Sequence, residues 1–118
     1  MNRVLLNFDL SQQLLKEHYP NPNYKYAYTQ IGMFLKRNGF DHHQGSGYIS
    51  KNPMRLSRVN GILWNLQIKY PWIIKCVEVF SITKVVEQSL DAKVIFARAA
   101  EKQSLQQAEK KKDKHFSR

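Results

Sequence analysis

A single cysteine, Cys76, stands in the whole 118-residue sequence. It excludes an internal disulfide, and no Cys/His spacing suited to structural zinc accompanies it, so a secreted disulfide scaffold and a zinc module are both ruled out. Cys76 reads as an inert core thiol. No apolar run approaches the ~18 residues that a membrane-spanning helix needs. The opening segment Met1–Asp9 reaches an acid before a secretory apolar stretch forms, so the expected location is the cytosol, with no membrane partner. Four prolines and five glycines are too few for a collagenous or low-complexity chain. Acids are scarce as well: nine Asp and Glu stand against nineteen Lys and Arg, a formal net charge of +10.

What remains is the composition of a globular protein, 42% hydrophobic and with fourteen aromatic residues. The length is that of one domain with a single core. We expect a body over residues 1–88 and a helical extension over 89–118 with a basic, partly disordered end. The charge is not confined to that end, because residues 1–100 carry +7 and residues 101–118 carry +3. A folded body with this surplus attracts polyanions, so RNA, DNA or an acidic protein is the favoured class of partner.

Hydrophobic patterning gives the element order. Arg3–Asp9 reads as a central strand covered on one face. Ser11 caps a short helix to about Tyr19, which Pro20 and Pro22 break. Tyr24, Ala27, Tyr28, Ile31, Phe34 and Leu35 recur at helical spacing, with Asn23 as N-cap and Asn38-Gly39 as terminator. Phe40–Gln44 and Ser46–Ser50 flank Gly45 as a tight hairpin. Leu56, Val59, Ile62, Leu63, Leu66 and Tyr70 mark a second long helix between about Pro53 and Tyr70. Cys76–Val86 is a last strand by its β-branched and aromatic content. Ser89 then caps a further helix with an apolar stripe of Leu90, Val94, Ile95, Ala99 and Leu105. The order β-α-β-β-α-β is that of an α+β, ferredoxin-like antiparallel sheet in the order 4-1-3-2, plus an extra C-terminal helix. Its second face is left for a ligand or for another copy of the chain.

In that topology the first strand ends at the rim where the hairpin turns, which sets Asp9 beside Gln44-Gly45-Ser46. A carboxylate at a strand end can bind a divalent metal such as Mg2+, or orient a water or a ribose 2′-hydroxyl. The same residue type in that place also serves as a turn cap. His42 and His43 point to opposite faces and cannot chelate one metal together, and His43, nearer the turn, is the candidate general base. Asp9, His43 and Ser46 are therefore the candidate catalytic residues, with Asp9 the metal ligand if the reaction uses one. Gln44, Tyr48, Arg55 and Arg58 are the candidate nucleic-acid contacts, through base stacking and phosphate pairing. Two reaction routes fit: attack by the RNA's own 2′-hydroxyl, and attack by metal-activated water. A non-catalytic dimeric module that binds nucleic acid or protein also fits one acid and no unambiguous base.

The phrases Phe8-Asp9-Leu10, Leu15-Lys16-Glu17 with Tyr19, Asn23-Tyr24, Ala27-Tyr28, and Asn38-Gly39-Phe40 leading to Gln44-Gly45-Ser46 and Tyr48 together resemble the VapD (virulence-associated protein D) family of bacterial endoribonucleases. The resemblance covers residues 3–86 and is clearest over 8–48. It implies a ferredoxin-like homodimer, related in fold to the small nuclease-like proteins of CRISPR adaptation modules, that cleaves single-stranded RNA and in some settings is a toxin paired with a small antitoxin protein. By position it makes Asp9 the family's acid and matches Gln44, Gly45 and Ser46 to its hairpin. Gly47 departs from the larger β-branched residue usual there, which is expected to loosen the strand. The extension after Val86 is longer than usual.

Overall fold

A computed structural model of the chain describes residues 1–86 and 91–116, with 108–116 as backbone alone. The chain divides into two units, Met1–Glu87 and Gln88–Arg118. The first is built on strand β1 (Arg3–Leu10), where Val4, Leu6, Phe8 and Leu10 are buried while Leu5, Asn7 and Asp9 alternate onto the other face. β1 is central because it pairs on both sides, with β3 (Gly47–Ser50) and with β4 (Val77–Val85). With β2 (Phe40–Gln44) at the far edge, the sheet order is β2-β3-β1-β4 and every pairing is antiparallel. This is the expected order read from the other side.

Helix α1 (Gln12–His18) starts as the sequence predicts, with the Ser11 hydroxyl accepting the Leu14 N–H at 3.2 Å. Helix α2 (Tyr26–Arg37) begins three residues after Asn23, because that stretch is spent on a turn: the Asn23 carbonyl takes the Tyr26 N–H and the Asn21 side chain takes the Asn23 N–H. Asn38 ends α2, and Gly39 follows at a φ of +91°. Ala27, Ile31 and Leu35 of α2 and Val59, Ile62 and Leu66 of α3 (Leu56–Lys69) form the buried layer over the sheet. A short helix α4 (Ile73–Cys76) follows Pro71 and was not expected. It shortens the last strand by one residue, and its flanking Trp72 packs edge-on against Tyr19 at 4.8 Å. Cys76 is buried, and desolvation pushes its thiol pKa up, as suits a core residue.

A register shift lies where β4 meets the end of β1: Asp9 faces Val79 while Leu10 faces Val77, so Glu78 is an inserted residue. Val77 thereby joins the buried side with Leu10, away from the face of Val79, Ser81, Thr83 and Val85. Phe8 anchors this end of the sheet, stacking on Phe80 at 5.1 Å, Tyr28 at 5.7 Å and Tyr48 at 6.1 Å.

The β2–β3 hairpin turns on Gly45-Ser46, with Gly45 at a φ of +54°, a backbone state suited to glycine. Gly47 is a close approach and not a loose point: a Cβ there would lie 2.7 Å from the Asn7 side-chain oxygen and 2.9 Å from the Gln44 carbonyl. In the second unit, α5 (Ala92–Phe116) begins beside Asp91, whose carboxylate accepts the Lys93 N–H. Val94, Ile95, Phe96 and Leu105 on it are exposed. Ser89 and Leu90, read as its cap and first stripe residue, lie outside the described residues. Among the described residues no helix is long and apolar enough to cross a membrane.

Candidate active site

Asp9 is an exposed carboxylate at the end of the central strand. Its alternation with Phe8 and Leu10 puts it on the uncovered side of the sheet, next to Val79 of β4. What holds it comes from the helix layer. The Tyr28 hydroxyl lies 3.4 Å from Asp9 Oδ1, accepts the Leu10 N–H at 3.2 Å, and is also 3.4 Å from the Leu10 carbonyl. One phenolic proton cannot serve both oxygens, and an ionised carboxylate is the stronger acceptor. Tyr28 thus ties the acid to the backbone that carries it. Its helical face read as core, and the Phe8 stack makes its ring so; nothing in a helical period signals that the hydroxyl reaches around a strand end.

The hairpin turn shares this rim, because Gly47 pairs with Asn7, two residues before Asp9. Asp9, Gly45 and Ser46 are therefore at one end of the sheet, as the chain order predicts, with Ser46 half-buried in the turn. Gln44 closes the turn opposite Gly47 and is exposed. His43 is exposed too, at an irregularity between the paired positions His42 and Gln44. Its strand is the second neighbour of β1, which puts its backbone about two strand spacings, or roughly 10 Å, from that of Asp9. A direct hydrogen-bonded Asp9–His43 pair within one chain does not form. His42 is committed to the turn, with its ring nitrogen 2.7 Å from the Gly45 carbonyl and its ring edge-on to Tyr48.

The three other predicted nucleic-acid contacts sit elsewhere. Tyr48 is only 8% exposed and faces the helix layer, paired with Leu6 and stacked on Phe8, so it is a core residue and not a platform for a base. Burial raises its phenol pKa. Arg55 and Arg58 are exposed at the start of α3. The Met54 N–H bonds the Asn2 carbonyl at 3.0 Å, which fastens this segment to the beginning of β1. Asp9 is at the other end of that strand, about 20 Å away by strand rise. The two arginines and the acid belong to opposite rims.

Around Asp9 a single chain offers its carboxylate, the Tyr28 hydroxyl and the Leu10 carbonyl, with Glu78 inserted in the neighbouring strand at the same end. Among the described residues no three His, Cys, Asp or Glu side chains come together as a metal site. A magnesium ion takes six oxygens in an octahedron, so these residues fit one only if water, substrate phosphate or a second copy completes the shell.

No protein-family profile matches the chain. It is similar to Endoribonuclease VapD 2 of Riemerella anatipestifer, 27% identical over 82 residues that cover 70% of this chain and 87% of that protein. It is also similar to Endoribonuclease VapD of Dichelobacter nodosus, 49% identical over 45 residues that cover 38% of this chain and 47% of that protein. The proteins it resembles are thus named endoribonucleases, at an identity that makes the kinship distant.

Proposed function

We propose that this chain is a VapD-type endoribonuclease that cleaves single-stranded RNA, with Asp9 as its catalytic acid-base group. The observation that carries the reading is an exposed carboxylate at the end of the central strand, hydrogen-bonded by Tyr28, on the rim shared with the Gly45-Ser46 turn. The net charge of +10 draws the RNA backbone to the surface, and the names of the similar proteins point to the same reaction. Asp9 takes the proton of the attacking oxygen as that oxygen closes on phosphorus in line with the departing oxygen, which is the 5′-oxygen when the 2′-hydroxyl attacks and the 3′-oxygen when water attacks, and Tyr28 keeps the carboxylate aimed. His43 and Ser46 then act from the turn, on the phosphate or through a water, and not by direct contact with Asp9. If a divalent ion assists, Asp9 is its protein ligand, and the ion supplies charge neutralisation at the phosphate.

The active species is a homodimer. The sheet face opposite the helices carries Leu5 paired with Ile49, Val85 across from Arg3, and Val79 directly across from Asp9 and 55% exposed. Packing two such faces about a two-fold axis buries these side chains and sets two Asp9 carboxylates on one cleft. A small acidic antitoxin protein suits the cationic surface as a further partner.

The test is cleavage of single-stranded RNA by the wild type and by Asp9→Asn, with folding and dimerisation checked for both and each assay run with and without chelator. Loss of cleavage in the variant is expected. A 2′,3′-cyclic phosphate product marks 2′-hydroxyl attack and a 5′-phosphate marks water attack. Full cleavage by Asp9→Asn would remove the acid from the mechanism. One observation favours a second reading, a binding module without chemistry: among the described residues the side-chain hydrogen bond to Asp9 comes from Tyr28 and not from an imidazole. RNA binding that weakens steeply with salt, with no cleavage at any metal concentration, would select it.

A further inference from the structure

On the helix side of the Asp9 rim lies a cavity of about 280 Å³ lined by Leu10, Gln12, Leu15, Tyr24, Lys25 and Tyr28. Its floor is apolar and its mouth is polar. It shares Tyr28 with the candidate active site, because the ring lines the cavity while the hydroxyl contacts Asp9. It is therefore one side chain away from the proposed scissile phosphate.

Its polar groups are arranged for a planar ligand with a hydrogen-bonding edge. The Gln12 amide nitrogen donates to the Tyr24 hydroxyl, and this bond fixes the amide plane at the cavity wall. That leaves the second N–H and the carbonyl of the amide exposed as an adjacent donor and acceptor, the pairing with which glutamine reads a base edge. The Lys16 ammonium sits over the Tyr24 ring at 5.5 Å, and Lys25 lines the mouth, so two cations flank a pocket whose own lining contains no carboxylate. An apolar floor, a fixed amide and flanking ammonium groups match the parts of a nucleotide: ring face, ring edge and phosphate. A purely structural role would not need the amide and both cations at an open cavity.

We propose that this cavity is the nucleobase subsite of the enzyme: it takes the base next to the cleaved phosphodiester, Gln12 reads its edge, and Lys16 and Lys25 hold the adjoining phosphate. The inference rests on the endoribonuclease reading and adds the origin of base preference to it. Gln12, Lys16 and Lys25 are exposed, so their replacement spares the core.

The experiment uses the full chain. Binding of four tetranucleotides, 2′-O-methylated throughout and differing in one base, is measured by fluorescence anisotropy for the wild type, Gln12→Leu and Lys25→Ala. Cleavage of the matching unmodified RNAs is measured in parallel, and thermal melts confirm that each variant folds. We expect the wild type to prefer some bases over others, Gln12→Leu to flatten that preference by about tenfold, and Lys25→Ala to weaken all four ligands by a similar small factor. A wild-type preference that Gln12→Leu leaves intact, in protein that still cleaves RNA, overturns the subsite and leaves the catalytic reading standing. A Gln12-dependent preference in protein that never cleaves supports the subsite and overturns the catalytic reading. Equal binding of all four bases by the wild type overturns the subsite.

Discussion

The two rims of the sheet are both open to solvent and both carry cationic residues, yet they differ in the other polar groups that the described residues bring to them. Where β1 ends, Asp9, Tyr28, Gln12 and Tyr24 bring together a carboxylate, two phenols and an amide, with Lys16 and Lys25 beside them. Where β1 begins, Arg55 and Lys84 line a hollow with Met1, Asn2, Met54 and Leu56, and Arg58 lines its neighbour with Pro53 and Ser57. Among the described residues neither lining holds an acid or an imidazole. Positive charge alone attracts an RNA backbone without breaking it, so under the proposed function one rim would collect substrate and the other would transfer a proton. The sharpest way to break this contrast is Asp9→Asn. It should lower the cleavage rate by about 10²–10⁴, the range of a lost acid-base group. RNA affinity should stay level or rise, because a negative charge leaves a cationic surface. A variant that binds poorly but cleaves each bound RNA normally would reverse the assignment of the rims.

Next in size is a change that acts on the fold itself. Tyr48 reaches the α2 backbone at Gly32, where a Cβ would stand 2.1 Å from its hydroxyl oxygen and 2.9 Å from Cζ. Gly32→Ala forces that buried ring to move, an overpacking cost of about 1–3 kcal/mol. For a body of this size that lowers the melting temperature by roughly 4–8 °C per kcal/mol. Adding Tyr48→Phe removes the oxygen but not Cζ, so the double variant should recover part of the loss in a thermal melt. Full stability in Gly32→Ala alone would mean that Tyr48 is not seated against α2.

Tyr28→Phe comes third, and it separates the two duties of that residue. The ring stays stacked on Phe8, while the Leu10 N–H and Asp9 lose their partner. We expect cleavage to fall about tenfold through kcat, with a stability loss of about 1 kcal/mol. An unchanged kcat with only lowered stability would make Tyr28 a core residue and nothing more.

The sequence made the sheet order, the Ser11 cap, the break at Pro20 and the meeting of Asp9 with the Gly45 turn all legible, since each follows from short-range pattern plus antiparallel connectivity. What it hid has three physical causes. The Glu78 insertion shifts alternation by one residue, which moved Val77 to the buried face. Gly47 looked like a weak strand residue because its reason, the Asn7 side chain in its Cβ space, lies on another strand. Tyr48 and Tyr28 exchange the roles their positions imply. A strand tyrosine beside a turn is buried, and a tyrosine on an apolar helix face carries the hydroxyl that touches the acid. Residue spacing reports which face a side chain leaves from, but the reach of a phenol past a strand end depends on packing angles that local pattern does not encode.

The smallest effect belongs to the far rim, and it completes the contrast. If Arg55 and Arg58 only collect RNA, replacing either with Ala removes about one phosphate contact and leaves the reaction at Asp9 untouched. The slope of log affinity against log salt should then shrink by about 0.7 per arginine, the counterion share of one single-strand phosphate contact. Affinity at low salt should drop a few-fold, equally for every sequence, while the rate at saturating RNA holds. The matching charge removal at the Asp9 rim, Lys16→Ala, should shrink the salt slope by the same amount. It also lowers the saturated rate if its phosphate is the one next to the cleaved bond. Equal electrostatic losses with unequal catalytic losses would show that the sheet carries one cationic surface over two functionally different ends.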